Sequence, residues 1–305
     1  MTTPNTSLEQ ARHLIRLSDA IHPALSAENE GEMRARRSLR LGIQAVAMAK
    51  GEGAAYQTAA GTAWMGILHQ ELASGGIHLS TYAAWPRYEQ VMRGTVSAPT
   101  PTVHHEPLNV LAKRYADVQR ATVTADGSYN ETNATHVTHL SALALPYAAE
   151  HHSDLHLPSI ALYALLHDLP EAYAGDTPSL GMSAEARKIK EMKEFAALHR
   201  IKDEFSNEFP EFVRSCEAYE LLADDEAKFV KTFDKLDPSF THISNGCLAI
   251  RRDMKIDSPE TLRTLNQQTE DSMTYSRKFP QLVAIRRELA EKAIALAPWG
   301  KKIPA

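Results

Sequence analysis

The chain has 305 residues and a net charge of −5, with 43% hydrophobic and 23% charged residues, the balance of an ordinary soluble globular protein with room for a sizeable core and two domains. The acid excess gives no reason to expect nucleic-acid binding, but a small anionic substrate answers to local charge and stays open. Cys216 and Cys247 are the only cysteines and lie far apart, which excludes a disulfide scaffold and a cysteine-based zinc ribbon and predicts two packed thiols.

The N-terminus, MTTPNTSLEQARHLIRL, has charges among its apolar positions and no signal-peptide core. No stretch approaches the apolar length that spans a bilayer, so no membrane partner and a cytoplasmic location are expected. Ser7 with Gln10 forms a capping-box pattern and opens a first helix with Leu8, Ala11, Ile15 and Leu17 on its apolar face. A second helix is predicted over EMRARRSLRLGIQAVAMAK, where Arg34, Arg36, Arg37 and Arg40 read as a solvated face. A third covers TAAGTAWMGILHQELA, with Trp64 and Met65 as core residues, and ends at Gly75-Gly76. A fourth covers STYAAWPRYEQVMR and breaks at Pro86.

GTVSAPTPTVHHEP then reads as a Pro-rich linker, placing a smaller helical N-terminal domain of unassigned role at residues 1–95, the linker at 96–107 and a second domain at 108–305. Beyond it, helices are predicted over VTHLSALALPYAAEHH, PSIALYALLHDLPEAYA, SAEARKIKEMKEFAALHRIKDEF and DDEAKFVKTFDKLDPSFTHI, with two more starting near Ser258-Pro259 and Pro280. HHSDLH at 151–156 and VHHE in the linker read as polar loops rather than metal tracts. Convincing strand alternation is scarce, and the fold class is all-α.

One helix breaks its own pattern. ALYALLHDLPEAYAGDTPSL is apolar until His167 and Asp168, then carries Glu171 and, past Gly175, Asp176. Ionisable groups on a buried helix need partners or a shared cation. Adjacent residues on a helix point about 100° apart, so His167 and Asp168 can straddle one ion, and Glu171 projects from a similar face. Further ligands are available from His136 or His139 upstream and from Asp234 downstream, inside an apolar frame of Phe229, Val230, Phe233 and Leu236. Several helices offering one ligand each to a common centre is how bundle metal sites are built.

The order His, His-Asp, Asp resembles the HD-domain phosphohydrolases. HDLPEAYAGDTP matches HD-x-x-E-x-x-x-G-D-x-P, a pattern similar to that of bacterial deoxyribonucleoside 5'-monophosphatases and phage-encoded nucleotide hydrolases. The resemblance covers roughly residues 108–250. It implies an HD-type helical bundle as the C-terminal lobe and one divalent ion (cobalt, manganese, zinc, iron, nickel or magnesium) held by His136, His167, Asp168 and Asp234. His136 is preferred to His139 because it follows the short polar segment NAT and opens its helix; Asp234 is preferred to Asp237, which precedes Pro238. Glu171 and Asp176 correspond to the family's catalytic acids. Arg114, followed by Tyr115, corresponds to its phosphate-binding arginine, with Arg120 a second candidate. The implied reaction is hydrolysis of a nucleotide, first a deoxyribonucleoside 5'-monophosphate to nucleoside and phosphate. The alternatives are a deoxynucleoside triphosphate triphosphohydrolase and a non-catalytic nucleotide-binding module. A homo-oligomer is expected.

Overall fold

The computed structural model describes residues 6–26, 28, 30–93 and 105–301. Four helices form the N-terminal region: α1 (Ser7–Leu25), α2 (Gly31–Ala47), α3 (Gly53–Ser74) and α4 (Pro86–Arg93). The first is capped one residue earlier than expected. The Thr6 hydroxyl accepts from the Glu9 amide and the Glu9 carboxylate accepts from the Thr6 amide, a capping box in place of Ser7 and Gln10. The expected break at Pro86 is where α4 begins, because its missing amide costs nothing in a first turn. The arginine cluster on α2 is not merely solvated: Arg34 pairs with Glu71, and Arg36 pairs with Glu32 and Asp117.

Most of the expected linker lies outside the described residues; His105 at its end caps α5 (Glu106–Asp117) by accepting from the Leu108 amide. An antiparallel hairpin follows, β1 (Gln119–Val123) with β2 (Asn130–Thr132), a feature of only eight residues that alternation does not announce. Then come α6 (Asn133–His151), α7 (Leu157–Leu166), the single turn α8 (Glu171–Ala174), α9 (Ala184–Phe205), α10 (Pro210–Glu220), α11 (Asp225–Asp234), α12 (Asp237–Asn245), α13 (Leu248–Arg252), α14 (Pro259–Ser272) and α15 (Pro280–Leu296). The fold is all-α apart from the hairpin. No helix among the described residues is long and apolar enough to cross a membrane.

Two segments expected as single helices are broken. Residues 158–174 divide at His167–Pro170, where Pro170 has no amide to continue the ladder. Residues 224–243 divide at Lys235–Leu236, and Pro238 opens the next helix in its first turn. Both breaks fall beside residues of the His136, His167, Asp168 and Asp234 cluster.

α6 and α7 form the centre. Every residue of α6 from Asn133 to Ala148 is buried, as is α7 from Ser159 to Leu166, the mark of helices enclosed on all sides. α3 lies against α7 at the closest possible range: a Cβ on Gly61 would fall 1.8 Å from the Pro158 carbonyl oxygen. α2 packs on α3, α5 and α6, and α1 on α6 and α15. One apolar core therefore runs from Ala11 to Leu289 through both regions, and a smaller cluster of Cys247, Ile250, Leu262, Ala293, Ile294 and Ala297 joins the C-terminal helices. Cys216 and Cys247 are both buried free thiols.

Candidate metal centre and active site

Three places in the chain supply the site. The first turn of α6 carries His136, the break after α7 carries His167 and Asp168, and the last residue of α11 is Asp234. One ligand atom from each lies within 4.8 Å of all the others. His136 Nε2 is 3.1 Å from His167 Nε2 and 3.4 Å from Asp234 Oδ1, while His167 Nε2 is 3.0 Å from Asp168 Oδ2. Metal–nitrogen and metal–oxygen bonds of about 2.0–2.2 Å put neighbouring ligands roughly 3.0–3.6 Å apart, so this spacing fits a single divalent ion.

The tautomers make the same point. Asp237 Oδ2 accepts from His136 Nδ1 at 2.9 Å, and the Ala164 carbonyl accepts from His167 Nδ1 at 2.9 Å. A carboxylate and a carbonyl only accept, so both imidazoles carry their proton on Nδ1. Both Nε2 atoms then present lone pairs to each other, an arrangement that a cation between them satisfies. Electrostatics agree. Burial opposes charge on His136, yet the flanking carboxylates of Asp234 and Asp237 raise its pKa to about 10. Without an ion the same field places a second proton on His136 at Nε2, the position where a bound cation would take the proton's place. Burial likewise opposes ionisation of Asp168 and Asp234, but His167 and Arg120 beside the first, and Lys235 beside the second, keep both well below the usual carboxylate range.

Asp237 is not a ligand but a clamp. Its Oδ1 accepts from His139 Nδ1 at 2.8 Å, and His139 Nε2 meets Ser18 Oγ of α1 at 3.0 Å. His139 thus lies one layer behind the four-residue cluster. Asn133 is another residue that sequence reasoning passed over. Its amide oxygen accepts from Arg120 Nη1 at 3.3 Å and its Nδ2 donates to Glu171 Oε2 at 2.9 Å. The only hint was its place in the polar segment before His136.

Glu171 is buried beside the cluster. Desolvation, followed by the charge of Asp168, raises its pKa to about 8. Gly175 takes φ +73°, turning the chain after α8 so that Asp176 Oδ2 accepts from the Ala121 amide at 2.8 Å. The two arginines separate clearly. Arg120 is buried in β1 and donates from Nη1 to Asp168 Oδ2 at 2.8 Å. Arg114 is exposed on α5, with its guanidinium 5.5 Å from the Tyr173 ring. Lys235, unremarked in the sequence, donates to Asp234 Oδ2 at 2.8 Å.

Arg120, Asp168, Glu171, Asp176, Asp234 and Lys235 line one cavity, which holds about 1110 Å³ of empty space including open solvent at its mouth. It extends from the metal cluster towards α12, α14 and α15.

The HD-domain family model matches residues 112–275, more than half of the chain and the segment bearing every ligand. The chain belongs to the HD-domain family. Its His136, His167, Asp168 and Asp234 form the metal-dependent phosphohydrolase site of that family, able to coordinate one divalent ion. The fold is similar to that of a crystal structure described as a predicted metal-dependent phosphohydrolase from Magnetospirillum magnetotacticum, with 23% identity over 59% of this chain and 88% of that one and a TM-score of 0.47. No curated protein matches the sequence.

Proposed function

We propose that this HD site hydrolyses nucleotide phosphate esters, first of all deoxyribonucleoside 5'-monophosphates to nucleoside and phosphate. The observation that carries the proposal is the placement of a buried Glu171 and the guanidinium of Arg120 on either side of Asn133, in the same cavity as the metal cluster. Bound to His136, His167, Asp168 and Asp234, a divalent ion supplies Lewis acidity to a phosphoryl oxygen and an acidified water. Arg120, which lines the cavity and donates to Asp168, supplies positive charge for the phosphate. Glu171, its pKa raised to about 8 by burial, moves the proton between water and leaving oxygen. Asp176 holds the β1 strand at Ala121 and so fixes where Arg120 points.

Lys190 and Lys235 line the same cavity and support a second reading, triphosphohydrolysis of deoxynucleoside triphosphates. Chromatography of products from metal-loaded protein separates the two. Nucleoside with free phosphate from monophosphates supports the first, nucleoside with intact triphosphate supports the second, and turnover of neither removes both.

A further inference from the structure

The far end of the cavity is unlike the metal end. Its walls include Ile250, Met254, Leu262 and Ala293, and among the described residues no carboxylate lines it. Two nitrogen-bearing side chains face this apolar slot. His242 has Nδ1 enclosed without a partner, and burial lowers its pKa to about 4, leaving it neutral. Arg286 of α15 is 5% exposed and its Nε also lacks a partner among the described residues. Glu270, the carboxylate whose charge acts on Arg286, is hydrogen-bonded to Arg287 at 2.7 Å. The terminal nitrogens of Arg286 are committed to Asn266, Nη1 to the backbone oxygen at 3.2 Å and Nη2 to Oδ1 at 3.0 Å.

We propose that this slot binds the nucleobase of the substrate, with Arg286 Nε–H donating to a base carbonyl oxygen. The inference rests on the nucleotide reading above and deepens it. A second phosphate fits poorly here. It would need the paired donors of the guanidinium, which Asn266 already occupies, and it would be desolvated against aliphatic walls. A planar ring needs the reverse, apolar surface on its faces and one or two polar contacts at its edge. The slot is thus shared between α12 to α14, inside the matched segment 112–275, and α15, which lies beyond it and carries Arg286. Adenine, which has no carbonyl, is the base least suited to the slot.

The test uses the metal-loaded full chain and four deoxynucleosides without phosphate, with binding measured by ligand-observed NMR titration. Wild-type protein should bind thymidine, deoxyguanosine and deoxycytidine about tenfold more tightly than deoxyadenosine. Arg286→Met should abolish that difference, and Leu262→Trp, which fills the slot, should weaken all four. Metal content and melting curves report on the fold of each variant, and Leu262→Trp decides the matter if Arg286→Met does not fold. Absence of nucleoside binding to wild type, or unchanged binding in Leu262→Trp, overturns the proposal. Nucleoside binding without phosphate release from any nucleotide would instead remove the hydrolytic reading and leave the base slot standing.

Discussion

Asp237→Asn tests the metal centre through a residue that never touches the ion. In the wild type one carboxylate accepts two imidazole protons, at 2.9 Å from His136 and 2.8 Å from His139. Burial disfavours its charge, but His139 and His136 keep it ionised. Asparagine keeps the shape and replaces one acceptor by a donor. If its NH2 faces His136, that ring must move its proton to Nε2, which then points an N–H at the metal position. If it faces His139, that ring must flip tautomer and its Nε2–H turns towards Ser18. Losses from such outer-layer changes run roughly 10- to 100-fold in metal affinity, or about 1.4–2.8 kcal/mol. Competition for zinc or manganese against a chelator of known affinity measures this directly, without any catalytic turnover. The expected result is a metal affinity weakened by one to two powers of ten in a protein that still melts cooperatively. Wild-type affinity in Asp237→Asn would show that the tautomer argument is wrong.

Asp168→Ala should lose both bound metal, read by elemental analysis, and turnover, whereas a stoichiometrically metallated Asp168→Ala would remove it from the ligand set. Glu171→Gln should keep its metal and lose about 10²–10⁴ of kcat, and a fully active variant would end the assigned proton-transfer role. The same residue gives a pH signature in metal-free protein. Its folded pKa of about 8 lies above the ordinary 4.5, so its contribution to stability is fully present below pH 4.5 and is lost as pH rises through 8. Metal-free Glu171→Gln should therefore lose less melting temperature than wild type between pH 5 and 9; parallel curves would contradict the burial argument. Gly61→Ala should destabilise by about 1–3 kcal/mol or more in a denaturant titration, because its Cβ would fall 1.8 Å from the Pro158 oxygen and force α3 off α7; a neutral result would mean the contact is looser than described.

The metal ligands were legible because their chemistry conflicts with their surroundings. His167, Asp168 and Asp234 interrupt apolar runs in which an unpartnered charge is costly, and their order carries the family resemblance. What surrounds them was hidden by distance along the chain. Asp237 sits 101 residues from His136, and its position before Pro238 told against ligation without revealing the clamp. Arg120 and Arg114 are equivalent in composition, and only the hairpin, too short to show a period of two, decides which one is buried at the cluster. Pro170 itself signals the bend after α7, whereas the break at Lys235 was hidden because apolar periodicity runs across it. The cap of α1 was misplaced by one because Thr6-Glu9 and Ser7-Gln10 satisfy the same rule.

The contact of Ser18 with His139 has a practical consequence for anyone who would isolate the catalytic segment. Residues 112–275 contain every ligand, yet three successive hydrogen bonds, Ser18 to His139, His139 to Asp237 and Asp237 to His136, anchor the metal centre in the first helix. Cutting the chain at the family boundary would strip α7 of the surface that seals it and leave His139 without its outer partner. Sequence drift in the N-terminal helices is therefore not free of the chemistry, and a transplanted HD segment would have to bring α1 to α3 with it.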